Sequence, residues 1–227
     1  MEWVVSKLRV PGAKRCRVAH FDVAGTDTPV EDFDALETCE VELGAVLWRD
    51  AVDVFIPFLV DQLKGRKTRR ALCLGEGTGA TGLALAASQL FQRVILTDLP
   101  ALMPLLLHNV DLNPKLAQLC TPLALDWLDA KSLDQLQEGK FDTVIACEVL
   151  YGNRHSWPGL KRVLMHALKQ GKGEAFFCLT LRNQRNDLDD FQQLLFENGN
   201  FRPGGEWELV PGEIVVFSVR LASRKST

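Results

Sequence analysis

Two spacings of apolar residues alternate along the chain. Short runs at 71–74 (ALCL), 93–98 (RVILTD), 119–125, 141–147 (FDTVIAC) and 174–182 (EAFFCLTLR) are too uniformly apolar to be half-exposed, and predict strands buried on both faces. Between them, apolar residues recur every three or four positions and predict helices over 83–91, 99–113, 128–139, 156–170 and 187–198, with Pro114 stopping the second. Ahead of the first run, Ala51, Val52, Val54, Phe55, Phe58 and Leu59 mark a further helix that should cover one face of a sheet. Pro57 lies inside that pattern, where it removes a backbone donor and favours a kink. Regular alternation of strand and helix predicts an α/β fold around a mainly parallel sheet.

The two ends of the chain depart from this alternation. The last apolar runs, 205–211 and 213–221, are separated only by Pro211-Gly212 and suit an antiparallel pair better than another crossover. At the other end, 3–10 and 15–23 flank Pro11-Gly12 and read as a β-hairpin or two short strands. The acidic stretch 24–39, with Glu31, Asp32, Asp34 and Glu37, reads as a surface loop, either a solvated charge run or a site for a basic peptide. The expected organisation is a hairpin-and-loop extension over 1–39 and one α/β domain over 40–227, a length sufficient for a sizeable core.

Candidate chemistry begins where the first buried run breaks. Gly75, Gly77 and Gly79 allow a sharp turn and a close ligand approach, because they lack the Cβ that forbids most positive φ values. The helix that follows directs its N-terminal amides and dipole at the same place, favouring an anionic or polar group; the alternative is a glycine-rich connection that binds nothing. Asp98 ends the next strand about twenty residues on, where a carboxylate accepts from both hydroxyls of an adenosine ribose. A helix cap ahead of Pro100 is the competing use of Asp98. Gly75, Gly77 and Ala80 also satisfy the GxGxxA pattern of dinucleotide sites, so a nicotinamide cofactor remains open from these residues alone.

Further candidates sit at strand ends and helix entries. Trp48, at the entry of the helix preceding the first sheet strand, either lines the pocket or simply packs. Asp126-Trp127 closes the third strand, where an acid accepts from an adenine amine and an indole covers its ring; packing is again the alternative for Trp127. Glu148 and Tyr151, just beyond the fourth strand, occupy the edge at which open α/β sheets bind ligands. Otherwise they are a loop acid and a half-buried tyrosine.

Charge and cysteine usage narrow the partners. A net charge of −3 and a pI near 5.8 supply no broad attraction for nucleic acid. The six cysteines lack paired spacing, and Cys73, Cys147 and Cys178 fall in core-like runs; they read as reduced thiols of a cytosolic or nuclear protein, with no metal site. No apolar run approaches a membrane span, so a soluble intracellular protein is expected.

Taken together, these residues resemble class I S-adenosylmethionine-dependent methyltransferases, and within them the family-16 group of mostly protein-lysine methyltransferases. The resemblance covers 43–217 and rests on Leu47-Trp48, LGEGTGATG at 74–82, Thr97-Asp98-Leu99-Pro100, His108-Asn109-Val110 with Asn113, Asp126-Trp127, and Ala146-Cys147-Glu148-Val149-Leu150-Tyr151, which is similar to the family's acid-x-x-tyrosine signature. It implies a seven-stranded doubly wound, Rossmann-like sheet, mostly parallel with a C-terminal antiparallel hairpin, plus a small N-terminal β appendage. It also implies S-adenosylmethionine as cofactor. Trp48, Gly75, Glu76, Gly77 and Gly79 would line its methionine and ribose end, Asp98 would take the ribose hydroxyls, Asp126 and Trp127 the adenine, and Ala146 would lie under the donor. Glu148 and Tyr151 would mark the acceptor side, the acid capturing an ammonium and the tyrosine orienting it. Two departures stand out: Glu76 occupies a position where many relatives carry a small residue, and the segment to Cys39 matches nothing assignable.

The activity so implied is methylation of a lysine in a non-histone protein by a cytoplasmic, and also nuclear, enzyme acting as a monomer. Its partner is a protein substrate, with neither nucleic acid nor membrane. Another protein side chain (arginine or histidine), a small molecule, or a non-catalytic cofactor-binding module are the alternatives.

Overall fold

A computed structural model of the chain describes residues 3–4, 15–21, 33–39, 45–66, 70–136, 141–182 and 185–223. Its main body is a seven-stranded sheet built from β4 (Arg70–Leu74), β5 (Arg93–Asp98), β6 (Cys120–Ala124), β7 (Thr143–Cys147), β8 (Glu174–Thr180), β9 (Phe201–Val210) and β10 (Ile214–Leu221), in the order β6-β5-β4-β7-β8-β10-β9. The first five pair in parallel. β10 runs antiparallel between β8 and β9, so the chain ends in the hairpin expected from Pro211-Gly212.

Two helical layers account for the uniformly apolar strands. On one face, Ala71 and Cys73 of β4 share a core with Phe55 and Leu59 of α1 (Arg49–Leu63), Leu83 of α2 (Ala80–Ala87) and Leu106 of α3 (Met103–Asp111). On the other, Leu72 and Leu74 meet Leu160 and Leu164 of α5 (Trp157–Ala167) and Phe191 of α6 (Arg185–Phe196). Successive strand residues point to opposite faces, so a strand covered twice must be apolar at every position. Phe177 on β8 stands opposite Phe217 on β10, with the rings stacked 4.8 Å apart, which ties the antiparallel hairpin to the parallel core. Among the described residues, no helix is long and apolar enough to cross a membrane.

Pro57 sits inside α1 as the pattern placed it, and Phe55, Ile56, Leu59 and Val60 on either side are buried. Two local expectations change. Pro114 does more than stop a helix: it opens α4 (Pro114–Ala117), where its fixed φ and missing amide suit the first turn. Of the helix expected over 128–139, the described residues form a 3-10 segment, Ala130–Gln135, none of whose residues is buried, and 137–139 lie outside the described residues. The carboxylate of Asp129 accepts from the Lys131 amide at 2.9 Å and so caps the segment's start.

The N-terminal extension also differs. β1 (Trp3–Val4) pairs antiparallel with β2 (Arg15–Phe21), as a hairpin requires. Phe33–Cys39, expected as loop, forms a third strand, β3, antiparallel to β2. Its register sets Phe33 opposite Phe21, Leu36 opposite Val18 and Glu37 opposite Arg17; Asp34 and Glu37, two of the acids that marked the stretch as loop, lie within the strand, while Glu31 and Asp32 lie outside the described residues.

At the edge of the sheet away from the strand ends described below, Glu174 is nearly buried. It accepts from Arg66 at 2.6 Å, from the Ser218 hydroxyl at 2.8 Å and from Arg220 at 3.1 Å. Burial alone would raise its pKa, but these donors outweigh it and hold the carboxyl below its usual range. A depressed folded value means stability present above the unfolded pKa and lost as pH falls through the folded one. Glu174→Gln should therefore cost about 1–3 kcal/mol near neutral pH, toward the low end because both arginines are part-exposed. In urea titrations the gap to the parent should close below about pH 4.

Candidate functional site

The chain leaves β4 toward β5, then returns to lay β7 on the other side of β4. This reversal opens a crevice at the carboxyl ends of β4 and β7, the place where open α/β sheets bind ligands. A cavity of about 440 Å³ occupies it, within the range of about 300–1,000 Å³ typical of cofactor sites. Trp48, Gly75, Glu76, Gly77, Asp98, Asp126, Trp127, Glu148 and Tyr151 all line it. Gly79 and Ala146 do not.

The glycine turn is shaped by steric need and by hydrogen bonds. Gly75 has φ 63°, and a Cβ there would come within 2.8 Å of Val149 Cγ1 and 3.5 Å of the Trp127 ring. Gly79 has φ 80° and serves packing: its Cβ would strike Leu106 at 2.7 Å, and its amide donates to the Glu76 carbonyl at 2.8 Å. The Gly77 amide donates to one oxygen of Asp98 at 2.6 Å, while the Leu99 amide donates to the other at 2.7 Å. Asn109 on α3 donates to the Thr78 carbonyl at 2.7 Å, and Asn113 in turn donates to the Asn109 carbonyl at 2.7 Å. The asparagines of the sequence motif thus hold the turn from behind.

Glu76 alters the picture of open amides at the start of α2. Its carboxylate accepts from the Gly82 amide at 2.8 Å, so the chain itself supplies an acid to that helix end, which has glycine and no capping side chain at its N-cap. Burial, reinforced by the nearby Asp98, pushes Glu76 up to about 7, although the Gly82 and Cys73 hydrogen bonds pull the other way. An acid so displaced, in a crevice beside a second acid, is characteristic of functional sites. Burial also raises the Cys73 thiol, with Glu76 adding to it, so Cys73 is an inert neutral group in the core.

The far wall comes from β7 and the loops beside it. Ala146 points into the α5 and α6 core and is fully buried, whereas its neighbour Cys147 lines the cavity; strand alternation sends the two to opposite faces. Glu148 then takes φ 57°, a left-handed conformation that costs a residue with a Cβ about 1–2 kcal/mol. The turn aims its carboxylate sideways at the end of β8. One oxygen accepts from the Thr180 amide at 2.7 Å and from its hydroxyl at 2.6 Å, and the other faces Arg182 at 3.5 Å. Burial raises the Glu148 pKa, opposed by Thr180 and Arg182. Tyr151 is 42% exposed at the mouth.

Sequence reasoning missed several supports. Asn153 donates to the Val149 carbonyl at 2.9 Å and accepts from the Tyr151 amide and the Trp157 indole, each at 3.2 Å, fixing the loop that carries Tyr151. A Cβ at Gly159 would lie 2.2 Å from the Trp127 carbonyl, so α5 approaches the Trp127 loop as closely as a glycine allows. A glycine inside a helical pattern was the available signal. Asp126 accepts from the Leu128 amide at 2.8 Å, forming an Asx turn under Trp127.

Comparison with known proteins identifies the family. A family model described as lysine methyltransferase matches residues 29–197, well over half of the chain. The protein belongs to that family, and its cofactor is S-adenosylmethionine. No curated protein matches it by sequence search. Among solved structures, it is similar to a Methanococcus maripaludis protein assigned as an S-adenosyl-L-methionine-dependent methyltransferase, at 15% identity and TM-score 0.60, covering 79% of this chain and 91% of that one. A chain of the fibrillarin–Nop5p complex follows at 19% identity and TM-score 0.56, covering 86% and 98%. An S-adenosylmethionine-dependent methyltransferase from Aquifex aeolicus gives 12% and 0.56, covering 72% and 88%. At such identities these likenesses carry the fold alone.

The raised Glu76 has a measurable consequence for the cofactor-free protein. Below its unfolded pKa both states are protonated and nothing is lost; as pH rises toward about 7, unfolding increasingly releases a proton that the folded state retains. Glu76→Gln, which keeps an acceptor for Gly82, should melt with the parent near pH 4 and above it at pH 8, by about 1 kcal/mol or more. Thermal scans across that range check it.

Proposed function

We propose that this methyltransferase acts on the lysine side chain of a protein substrate. In this reading Asp98 accepts from the ribose hydroxyls, Trp127 with Asp126 holds the adenine, and the backbone of Gly75 and Gly77 with Trp48 receives the methionine end. The observation that carries the choice of acceptor is Glu148, a largely buried carboxylate at the cavity mouth, held in one orientation by both donors of Thr180. A fixed anion beside the bound donor favours a cationic acceptor. Leu99, Leu128 and Tyr151, apolar side chains exposed around the cavity, suit a protein surface better than a small free substrate.

S-adenosylmethionine supplies an activated methyl group on a sulfonium that is already a good leaving group. The chain's task is then to align the acceptor with it and exclude water. Lysine has a reference pKa near 10.4, so supplying its neutral amine near neutral pH costs about 4–5 kcal/mol. Glu148 as an anion cannot reduce this, because a nearby negative charge raises an ammonium's pKa. Its role is capture and orientation of the ammonium, while desolvation in the cavity works against the charged form. Tyr151 shapes the entry.

Two variants test the assignment. Asp98→Ala should weaken S-adenosylhomocysteine binding by about tenfold or more, the loss of hydrogen bonds to a charged acceptor; unchanged calorimetric affinity in a folded variant would remove Asp98 from the cofactor site. Glu148→Gln keeps an acceptor for Thr180 and removes only the charge. It should leave cofactor affinity within about twofold while transfer of labelled methyl to lysate protein drops by about tenfold or more. Hydrolysis of the labelled protein should yield methyl-lysine; methyl-arginine or methyl-histidine instead would overturn the lysine reading.

A further inference from the structure

Against two residues that line the cavity the chain already holds a cation. The Arg182 guanidinium lies 4.3 Å from the centre of the Trp48 ring and 3.5 Å from Glu148, an aromatic face and a carboxylate on one positive group. Three segments converge to make this arrangement: the entry of α1, the turn after β7 and the turn after β8. Trp48 and Glu148 both line the cavity, and Arg182 does not. The guanidinium therefore contacts two residues of the cavity wall without itself forming part of that wall.

Unlike its partners, the cation is loosely held. The Arg182 side chain is 43% exposed against 8% for Glu148, so the ion pair is screened and weak. Glu148 does not depend on it for orientation, because the amide and hydroxyl of Thr180 hold the other carboxylate oxygen. If Arg182 swings into solvent, the oriented carboxylate and the indole face it contacted are left for another cation.

We propose that Trp48 and Glu148 form the recognition site for the acceptor's cationic side chain, and that Arg182 is a built-in occupant which the acceptor displaces. The proposal rests on the reading of a cationic acceptor and adds a specificity device to it. Only a side chain that makes both contacts better than Arg182 gains entry, so neutral or poorly placed groups are refused. Arg182 acts through Trp48 and Glu148 and is a specificity-determining residue without contact to the reacting atoms.

The probe is n-butylammonium, which matches the end of a lysine side chain, titrated into the full-length protein saturated with S-adenosylhomocysteine. Indole N–H resonances report binding, with that of Trp48 assigned by its loss in Trp48→Phe. Arg182→Ala should respond at Trp48 with half-saturation at about a tenfold lower concentration than the parent, equivalent to about 1.4 kcal/mol. Arg182→Lys, which restores a cation, should return the parental weak response. Arg182→Ala combined with Glu148→Gln should lose the gain. Equal half-saturation in the parent and Arg182→Ala, or a response at another indole, overturns the proposal. So does loss of S-adenosylhomocysteine binding in both Arg182→Ala and Arg182→Gln, which would make Arg182 a strut of the cofactor site. The lysine reading stands or falls separately on methyl-lysine formation by the parent protein in lysate, while the titration alone decides the displacement.

Discussion

The hydrogen bond from the Gly77 amide to the Asp98 carboxylate is the contact on which the site depends. It joins the turn after β4 to the end of β5, so two segments separated by a helix become one wall of the cavity. The turn can meet the carboxylate because Gly75, Gly77 and Gly79 all adopt positive φ, which residues with a Cβ do at a cost. Thr97 adds a second tie through its hydroxyl, which donates to the Cys73 carbonyl at 2.8 Å. Behind the turn, Asn109 fixes the Thr78 carbonyl. A loop pinned on both sides holds its shape before any ligand arrives, and that preorganisation lowers the cost of binding.

Carboxylates dominate the electrostatics of the crevice, and each meets a different fate. Asp98 is satisfied by two amides. Glu76 spends its hydrogen-bonding capacity on the start of α2 and stands half-buried beside Asp98, so its proton is held to about pH 7. Glu148 is steadied by Thr180 and neutralised in part by Arg182. The same chemical group thus becomes a hydrogen-bond acceptor at a strand end, a helix cap that titrates near neutrality, and an anchor for a cation. Donors and neighbouring charge within a few ångströms make the difference.

At the opposite end of the sheet, Glu174 accepts from Arg66, Ser218 and Arg220 and ties β8, β10 and the exit of α1 into one network. Among the described residues, none that lines the cavity takes part in it. The sheet therefore separates a stabilising end from a ligand-binding end, the usual division in open α/β folds.

Local sequence was enough for the layered α/β architecture, the glycine turn, the strand-end acid Asp98 and the closing hairpin. These follow from local periodicity and from residues whose backbone limits are intrinsic, such as Gly75 and the Pro211-Gly212 turn. Tertiary structure alone decided what depends on residues far apart in the chain. Phe33–Cys39 becomes a strand because β2 lies alongside in register, despite its acids. Cys147 lines the cavity in place of Ala146 because strand alternation, once the two helical layers are set, sends them to opposite faces. Glu76 caps a helix and Glu148 holds Arg182 because their side chains reach partners that folding brings within a few ångströms. The residue types could be read along the chain, but the partners that give each acid its charge state and direction exist only in three dimensions.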